Sequence, residues 1–467
     1  MDNHENFQET SFRDRPVTFS KDGKKIRLFP RIPKGKLYSI RRVIAWALLI
    51  FFYLAPFLKI KGEPLIWLNF AERKFVLFSG TFYPQDFHLL VLAVIALIVF
   101  IVLFTVIYGR IFCGWVCPQT VFLEFLYRPI ENLIDGDAEE QQRLAAQDMD
   151  LIKALKRILK HGIYLLISFF TILTFVSFVT GIDRLKVVMD GWPGENTGLL
   201  FGVLAFTGAH YFVFAWFREQ VCTIVCPYGR LQGVMLDVNT IVVSYDYKRG
   251  EPRGKGERGL RGDCINCFSC VAVCPTGIDI RNGTQLECIN CTACIDACNS
   301  VMKRVKKPSG LIRFASERSI AEGKTLKFNA RAIAYTAVLA VLLGVFGYLI
   351  TVRGEVETTI IRAQGTMFQE YGPGKYSNLY DFQMINKTSS PVKVELKLLS
   401  PEGEIVVLGD SIKAEKGEVA QRNLMVILKK EALKGSANHI EIGVFDQGKQ
   451  IDKISSTFVG PNELDGK

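Results

Sequence analysis

Histidine is scarce in this chain, and cysteine is too sparse for a secreted disulfide scaffold: the 467 residues include five His and twelve Cys. We find no flavin-binding or nucleotide-binding motif and no internal repeat of the whole chain. Residues 1–20 are polar and lack the apolar core of a cleaved signal peptide. The chain is nevertheless 49% hydrophobic, with a mean hydropathy of +0.20. These values exclude a disordered protein and argue against a purely soluble enzyme.

Five apolar segments predict transmembrane helices. Four of them are 21 or 22 residues long and contain no Asp, Glu, Lys or Arg. A helix of that length extends about 32 Å, which matches the hydrocarbon core of a bilayer. The first segment has 16 residues, but Arg42 and Lys59 at its ends can reach the membrane interfaces. The five segments are Val43–Leu58, Phe87–Tyr108, Gly162–Ile182, Thr197–Phe217 and Ala332–Val352.

Lysine and arginine are distributed unevenly between the segments that join these helices. Residues 1–42, 110–160 and 218–331 contain 11, 7 and 18 Lys or Arg, against 4 in residues 59–86 and 2 in residues 183–195. The positive-inside rule therefore places the first three segments in the cytoplasm and the other two outside. This arrangement accounts for the net charge of +11, and we expect no nucleic-acid partner.

Residues 353–467 differ in pattern from the rest of the chain. Short, partly alternating runs such as Val392–Leu399 and His439–Phe445 are separated by turn residues, which predicts a small β-sandwich. The region contains no Cys and one His, so we expect an interaction or structural module. Between the first two helices, the aromatic-rich runs Leu65–Phe70 and Phe75–Phe78 predict a short hairpin at the membrane surface.

Eight cysteines form two copies of the spacing C-x2-C-x2-C-x3-C, 24 residues apart. This spacing is typical of bacterial two-cluster ferredoxins, in which the fourth cysteine of each run ligates the other cluster. Zinc motifs usually have longer gaps between cysteine pairs, and disulfides are disfavoured in a reducing cytoplasm. We therefore predict two [4Fe–4S] clusters, the first held by Cys264, Cys267, Cys270 and Cys298, and the second by Cys288, Cys291, Cys294 and Cys274.

The remaining four cysteines occur in two C-x3-C-P motifs, each directly after a membrane helix that is predicted to end on the cytoplasmic side. Pro118 and Pro227 suit the first position of a new helix, so the preceding cysteine lies at a helix N-terminus, where the thiolate is favoured. Thiolates at such a site suit Cu(I), zinc or an iron–sulfur cluster. Inert, buried thiols are the alternative. We predict a soft-metal or redox site formed by Cys113, Cys117, Cys222 and Cys226.

Two further features leave alternatives open. His210 lies in the middle of the fourth predicted helix, where an ionisable side chain is either functional or hydrogen-bonded to a neighbouring hydroxyl group. Lys248–Gly262, which is rich in Gly, Lys and Arg, suits a flexible linker better than a contact with anionic lipid headgroups. The predicted organisation is a basic tail (1–42), four membrane helices with the first C-x3-C-P motif (43–217), a cytoplasmic segment (218–331) that contains a ferredoxin-like domain at about 255–305, a fifth helix (332–352) and the β-sandwich (353–467).

The order of these features resembles the cytochrome c oxidase accessory proteins of the FixG/CcoG type, also called RdxA, over essentially the whole chain. The resemblance is most specific in Cys113–Pro118, Tyr83–Phe87 and Arg249–Gly254. It implies an immunoglobulin-like C-terminal domain and a role in the maturation of a cbb-type haem–copper oxidase, through reduction of Cu(II) to Cu(I). It carries over the eight cluster cysteines, and it implies copper-side thiols at Cys113, Cys117, Cys222 and Cys226.

Two other functions remain as alternatives. Polyferredoxin subunits of periplasmic nitrate and nitrous-oxide reduction share the cysteine motifs but lack the terminal β domain, which disfavours a role in a quinol or anaerobic respiratory chain. An assembly scaffold with structural or sensory clusters is the alternative from another class. We expect a multi-pass protein of the bacterial inner membrane, with a cytoplasmic N-terminus and ferredoxin domain and a periplasmic β-sandwich. The expected partners are the lipid bilayer, oxidase-assembly and copper-delivery proteins, and a cytoplasmic electron donor.

A reporter fused after Lys467 tests the predicted orientation. An alkaline phosphatase that is active only outside the cytoplasm should be active at this position, because the fifth helix carries the chain outward. The same reporter fused to a chain truncated after Gly310, before that helix, should be inactive. The opposite pattern in cell-based activity assays would place the ferredoxin-like domain outside.

Overall fold

The computed structural model describes most of the chain, which divides into two units with their boundary in the sequence between Phe346 and Gly347. Residues 1–24, Tyr83–Gln85 and 255–260, which include parts of the predicted tail and linker, lie outside the described residues. The described ranges are 25–60, 62–70, 74–78, 80–82, 86–190, 197–254, 261–323, 330–352, 354, 356–363, 367–388, 391–415 and 417–461.

The helices and strands are numbered in chain order. The α-helices are α1 (Lys36–Leu54), α2 (Phe87–Tyr108), α3 (Ile111–Trp115), α4 (Pro118–Phe122), α5 (Arg128–Asp135), α6 (Ala138–Ala146), α7 (Leu151–Thr180), α8 (Ile182–Asp190), α9 (Thr197–Phe212), α10 (Pro227–Met235), α11 (Tyr247–Gly250), α12 (Ser269–Ala272), α13 (Ala293–Arg304), α14 (Glu317–Glu322) and α15 (Ala330–Val352). π-Helical turns occupy Leu123–Tyr127, Val213–Phe217 and Val221–Val225. The strands are β1 (Lys59–Ile60), β2 (Glu63–Pro64), β3 (Ile66–Asn69), β4 (Lys74–Leu77), β5 (Gly80–Phe82), β6 (Val242–Tyr245), β7 (Ile312–Ala315), β8 (Val356–Arg362), β9 (Gln369–Glu370), β10 (Lys375–Asn386), β11 (Val392–Ser400), β12 (Gly403–Leu408), β13 (Ile412–Ala414), β14 (Val419–Lys429), β15 (Ala437–Asp446) and β16 (Lys449–Val459).

Within the described residues, five helical segments are long and apolar enough to cross a membrane, as predicted: Lys36–Phe57, Phe87–Tyr108, Leu151–Thr180, Thr197–Phe217 and Ala332–Val352. Two of these helices begin earlier than their apolar pattern indicates, since α1 starts at Lys36 rather than Val43 and α7 at Leu151 rather than Gly162. The added turns carry charged side chains that contact protein. Arg41, for example, is buried and donates from Nε to the carbonyl of Gly114 at 2.6 Å.

The segment that follows the first C-x3-C-P motif packs inside the helix bundle. Pro118 starts α4, and a π-helical turn continues it towards α5. Phe122 and Tyr127 are buried in a core shared with α1, α7 and the π-helical extension of α9. Tyr127 stacks on Phe214 with ring centroids 4.8 Å apart. The bundle core therefore holds the helix that begins at the second cysteine of the motif.

The loop between α1 and α2 contains more strand than the single hairpin that the aromatic runs predict. β1 pairs with β2, and β3, β4 and β5 form a three-stranded antiparallel sheet. Trp67 of β3 lies against the end of α7, where a Cβ atom at Gly181 would be 3.3 Å from the indole nitrogen. This contact fixes the small sheet to the bundle.

Buried charged side chains form a network where α5, α7 and the residues after α9 meet. Glu131 accepts hydrogen bonds from both Nη atoms of Arg218, at 3.2 and 2.9 Å, and from Arg27 at 2.7 Å. Lys160 pairs with Asp135 and lies 3.6 Å from Glu131. Burial alone would raise the pKa of Glu131, but the guanidinium of Arg218, with Arg27 and Lys160, holds that pKa well below its usual range. Glu131 is therefore ionised in the folded protein at neutral pH.

The N-terminal part of α1 joins the helix bundle to the cysteine-rich domain. The backbone N–H of Tyr38 donates to Asp296 Oδ2 in α13 at 2.7 Å, and the N–H of Arg31 donates to the carbonyl of Ala272 at 2.8 Å. From the other side, Arg128 of α5 donates to the carbonyl of Pro275 at 3.2 Å. The bundle and the cysteine-rich domain are thus held together through contacts at both cysteine motifs.

The second unit is a β-sandwich, which confirms the predicted class. One sheet has the strand order β12-β14-β10-β8, with β9 on β10, and the other has the order β13-β11-β15-β16. Along β10, Tyr380, Phe382 and Met384 are fully buried while Asp381 between them is exposed. This alternation is the period of two that a strand with one buried face requires.

Replacement of Glu131 tests the buried network. Glu131→Gln removes the shared countercharge of Arg218 and Lys160, and breaking a buried pair in this way costs about 3–5 kcal/mol of unfolding free energy. Denaturant unfolding in detergent measures the loss. Glu139→Gln, at an exposed ion pair with Arg31, is the control and should cost no more than about 1 kcal/mol.

The pH dependence gives a second measure of the same interaction. Because the folded pKa of Glu131 is lowered, its contribution is fully present above the unfolded value of about 4.3 and is lost as the pH falls further. Equal stability of the two variants at pH 7 would show that the network contributes little to folding.

Candidate iron–sulfur site

The two C-x2-C-x2-C-x3-C motifs fold in the same way. In each motif the residues on both sides of the second cysteine have left-handed backbone conformations, with φ values of 57° and 54° for Asn266 and Phe268 and of 53° and 65° for Asn290 and Thr292. The helices α12 and α13 begin directly after these residues. Left-handed turns of this kind direct successive backbone N–H groups into a concavity, which suits an anionic iron–sulfur group.

The cysteines of the two motifs are interleaved in space. Cys298, at the end of the second motif, interacts electrostatically with Cys264 and Cys267 of the first. Cys274, at the end of the first motif, interacts with the three cysteines that open the second: Cys288, Cys291 and Cys294. The fold therefore brings each predicted set of four cysteines together, while the assignment of ligands to clusters stays a prediction.

A cavity lies among the cysteines of the second set. Apolar side chains, among them Val243, Ile278 and Ile289, complete its wall. All twelve cysteines are free thiols, and in the described part of the chain no three His, Cys, Asp or Glu side chains close around a single metal ion. A thiol-lined cavity with apolar walls fits a cluster, in which each cysteine binds a different iron. The cysteines that line it are Cys270, Cys274, Cys288, Cys291 and Cys294.

Burial controls the protonation of these thiols. It raises the pKa of Cys270 and Cys288 to about 12 and that of Cys291 and Cys298 to about 11. At neutral pH the thiols therefore keep their protons until a metal ion displaces them, and iron loading must release protons.

The segment before the first motif is a packed cover rather than the predicted flexible linker, as far as Gly254. The N–H of Gly254 donates to the carbonyl of Cys264, and the N–H of Asp263 to the carbonyl of Arg249, each at 2.9 Å. Tyr245 donates to Glu251 at 3.2 Å. Composition alone did not reveal these contacts, because they join residues on opposite sides of the glycine-rich stretch.

The four cysteines of the C-x3-C-P motifs lie together. Cys113 is in α3 and Cys222 in the π-helical turn before α10, whereas Cys117 and Cys226 occupy the N-cap positions of α4 and α10, as predicted. Cys222 interacts electrostatically with the other three thiols, and Cys113 interacts with Cys117 and Cys226. The fold thus brings together two motifs from distant parts of the chain, as the predicted site requires.

The expectation that a helix N-terminus favours the thiolate is wrong for Cys117. Burial raises its pKa, although the backbone N–H groups of Gln119 and Thr120 act in the opposite direction. Burial likewise raises the pKa of Cys113 to about 11 and of Cys222 to about 12. Without a bound cation these thiols are neutral.

The first C-x3-C-P motif is in direct contact with the second cluster motif. A Cβ atom at Gly114 would lie 2.4 Å from the carbonyl oxygen of Ile289 and 2.9 Å from the backbone of Cys291, so only glycine fits there. Cys113 and Cys291 share one buried core. Trp115 donates from Nε1 to the carbonyl of Asn290 at 3.2 Å. The four C-x3-C-P cysteines, called the membrane-edge cysteines below, are therefore neighbours of the second cluster site.

The sequence predicts no role for four residues that support the cysteine sites: Asn290, Gly114, Arg110 and Gln232. Asn290 joins the second motif to the end of α2 by donating to the carbonyl of Tyr108 at 3.2 Å and accepting from the N–H of Val243 at 3.1 Å. The sequence pattern that could have indicated Asn290 is C-I-N-C, which occurs in both motifs. The pattern that could have indicated Gly114 is its position inside C-x3-C-P. Arg110 and Gln232 carry no such local pattern.

His210 is a hydrogen-bonded core residue, in line with the simpler of its two interpretations. Its Nδ1 lies 3.1 Å from Ser168 Oγ and 3.4 Å from the Tyr127 hydroxyl. Phe122 and Phe214 pack against its ring, with centroids 6.0 and 4.6 Å away. These contacts account for a histidine at this depth.

Three family models match parts of the chain. Residues 217–317 match a "4Fe-4S dicluster domain", residues 90–135 a "4Fe-4S binding domain" and residues 346–461 an "IG-like fold at C-terminal of FixG". The first match contains the eight motif cysteines with Cys222 and Cys226, and the second contains Cys113 and Cys117. The predicted pair of [4Fe–4S] clusters and the immunoglobulin-like domain are thereby confirmed.

Three curated proteins are similar to this chain. Protein RdxB of Cereibacter sphaeroides is 34% identical over 412 residues, which cover 82% of this chain and 84% of RdxB. Protein RdxA of the same organism is 32% identical, with 79% of this chain and 81% of RdxA covered. Nitrogen fixation protein FixG of Rhizobium meliloti is 35% identical over 311 residues, or 63% of this chain and 58% of FixG.

Replacement of the crossing cysteines tests the ligand assignment. We expect Cys274→Ser to damage the second cluster more than the first, because the fourth ligand comes from the other motif. Cys298→Ser is the matched control and should have the opposite effect. Iron analysis and low-temperature EPR of the anaerobic, reduced proteins distinguish the two losses. Loss of only the first cluster in Cys274→Ser would refute the assignment.

Proposed function

This chain belongs to the family of RdxA, RdxB and FixG, and we propose that it is a membrane-bound electron-transfer protein that reduces Cu(II) to Cu(I) for the copper centre of a cbb-type cytochrome c oxidase. Membership of the family and the iron–sulfur domains support electron transfer. Copper is the substrate in this proposal, and each ion takes up one electron: Cu(II) + e⁻ → Cu(I).

The contact between Gly114 and the second cysteine motif carries the proposal. It puts Cys113 in the same buried core as Cys291, so a metal ion at the membrane-edge thiols is a near neighbour of the second cluster site. When bound, the two clusters supply carriers that accept and release single electrons. The eight motif cysteines would hold them, and the four C-x3-C-P cysteines would hold the substrate.

The membrane-edge thiols favour the reduced form of the substrate. Cysteine sulfur is a soft ligand and favours Cu(I), which makes reduction of bound Cu(II) more favourable. Since burial raises the pKa of Cys113 and Cys222 to about 11 and 12, binding of copper displaces protons from them.

The remaining parts of the chain have roles consistent with this function. We place the N-terminus and the cysteine-rich domain in the cytoplasm of a bacterial cell, where a cytoplasmic donor supplies the electrons. The β-sandwich is then periplasmic, where it is available to oxidase-assembly and copper-delivery proteins. The positive-inside pattern of the Lys and Arg residues supports this orientation.

A third [4Fe–4S] cluster at the same four cysteines is the second candidate. The observation that favours it is the match of residues 90–135 to a "4Fe-4S binding domain", in which this chain has two cysteines, Cys113 and Cys117. Cys222 and Cys226 would supply the other two ligands. The two candidates differ in their iron content and not only in activity.

Metal analysis of a double variant separates these functions. Anaerobically purified protein should contain about eight iron atoms per chain if two [4Fe–4S] clusters are present. Cys113→Ser with Cys222→Ser should leave that iron in place while abolishing copper binding and the reduction of Cu(II) by the dithionite-reduced protein. Four further irons that vanish in the double variant would instead establish a third cluster. Wild-type clusters that are reduced and reoxidised without any reduction of copper would favour an assembly scaffold.

A further inference from the structure

Arg110 lies between the two groups of cysteines. It follows Gly109, the C-cap residue of α2, and it is only 4% exposed. Its Nε donates to Gln232 Oε1 in α10 at 2.9 Å, and its Nη1 donates to the carbonyl of Leu286, two residues before Cys288. The same Gln232 oxygen lies 3.4 Å from Cys113 Sγ. One guanidinium therefore joins the end of α2, α10 and the second cluster motif.

Arg110, like the buried Arg41, lacks the carboxylate partner that three other buried arginines have. Arg128 is paired with Glu124, Arg218 with Glu131 and Arg281 with Asp279. Among the residues that the structure describes, no carboxylate lies within ion-pair distance of Arg110. A buried cation without an anionic partner is unfavourable, so an anion beside Arg110 would be stabilised by it.

The cysteines are the groups near Arg110 that become anionic. The guanidinium acts electrostatically on Cys113, Cys222 and Cys288, that is, on one thiol of each C-x3-C-P motif and on the first thiol of the second cluster motif. We infer that Arg110 is a positioning residue whose charge is shared between the membrane-edge cysteines and the second cluster, and that it couples the charge states of the two sites. This inference rests on the iron–sulfur part of the proposed function and not on the identity of the metal at the membrane edge.

The coupling has a direction that follows from charge alone. A nearby cation stabilises the reduced, more negative form of a cluster and so raises its reduction potential. A negative charge gained by the membrane-edge thiols partly neutralises the same guanidinium and so weakens its effect on the potential of the second cluster. The reduced cluster in turn weakens the effect of Arg110 on the thiols, because a coupling free energy between two sites is reciprocal. Arg110 thus favours electrons on the second cluster, next to the site where they are used.

Redox titration of two Arg110 variants tests this inference. Arg110→Gln removes the charge, and we expect the ratio of reduced to oxidised second cluster at a fixed potential to fall at least about tenfold, which is about 59 mV for a one-electron couple. Arg110→Lys keeps the charge without the planar fork and should retain most of the wild-type potential. EPR at each potential follows the two clusters separately, with signals assigned from the Cys274→Ser and Cys298→Ser proteins.

Gln232→Glu offers an independent route to the same effect. It places a carboxylate on Arg110 without removing the guanidinium, so it should also lower the potential of the second cluster, even if Arg110→Gln fails to fold. Arg281→Gln is the matched control at the first motif: Arg281 lies over the Phe268 ring at 4.0 Å and acts on Cys270. It should shift the first cluster and leave the second unchanged.

The outcomes are distinct from those of the copper experiment. An unchanged second-cluster potential in an iron-loaded Arg110→Gln or Gln232→Glu protein overturns the inference, as does a Lys variant that is as impaired as the Gln variant, since the fork and not the charge would then matter. A protein that does not reduce copper but shows the expected shifts would lose the proposed function and keep the role of Arg110.

Discussion

The close approach of two backbones at Gly114 is the constraint on which the arrangement of the sites depends. The position has no room for a side chain, because the Ile289 carbonyl and the Cys291 backbone occupy the space that a Cβ atom would need. Because these two backbone segments are so close, Trp115 donates a hydrogen bond to the carbonyl of Asn290, and Arg41 donates one to the carbonyl of Gly114. A membrane helix end and a ferredoxin-like loop thereby become one packed unit.

Electrostatics limits how such a junction can be built. The region where the membrane helices meet the cysteine-rich domain is largely buried, and an isolated charge there is costly. Glu131 supplies the negative charge that pairs with both Arg218 and Lys160. Arg41 instead donates to a carbonyl and lies 4.9 Å from the Phe125 ring centroid. Arg110 lies beside thiols of both cysteine groups, which links its charge to the metal chemistry of the site.

Burial has a second consequence for the cysteines themselves. It raises the pKa of thiols in both groups, and for Cys117 it outweighs two backbone N–H groups that favour the thiolate. The thiols whose pKa is raised in this way keep their protons until a cation is bound, so metal loading and proton release are coupled. This behaviour suits a site that must hold a soft metal ion without exposing a reactive thiolate to solvent.

Features that depend on residues close together in the chain could be predicted from the sequence alone. The five apolar helices, the cluster motifs and the cysteines at the N-caps of α4 and α10 follow from periodicity, ligand spacing and the fixed φ of proline, which act over a few turns of chain. The folded structure was needed to show where α1 and α7 begin, that residues before Gly254 cover the first motif, and that Cys113 packs beside Cys291. Each of these features depends on a contact with residues far away in the chain. Such contacts determine whether a charge is paired, a glycine is required or a thiol is buried.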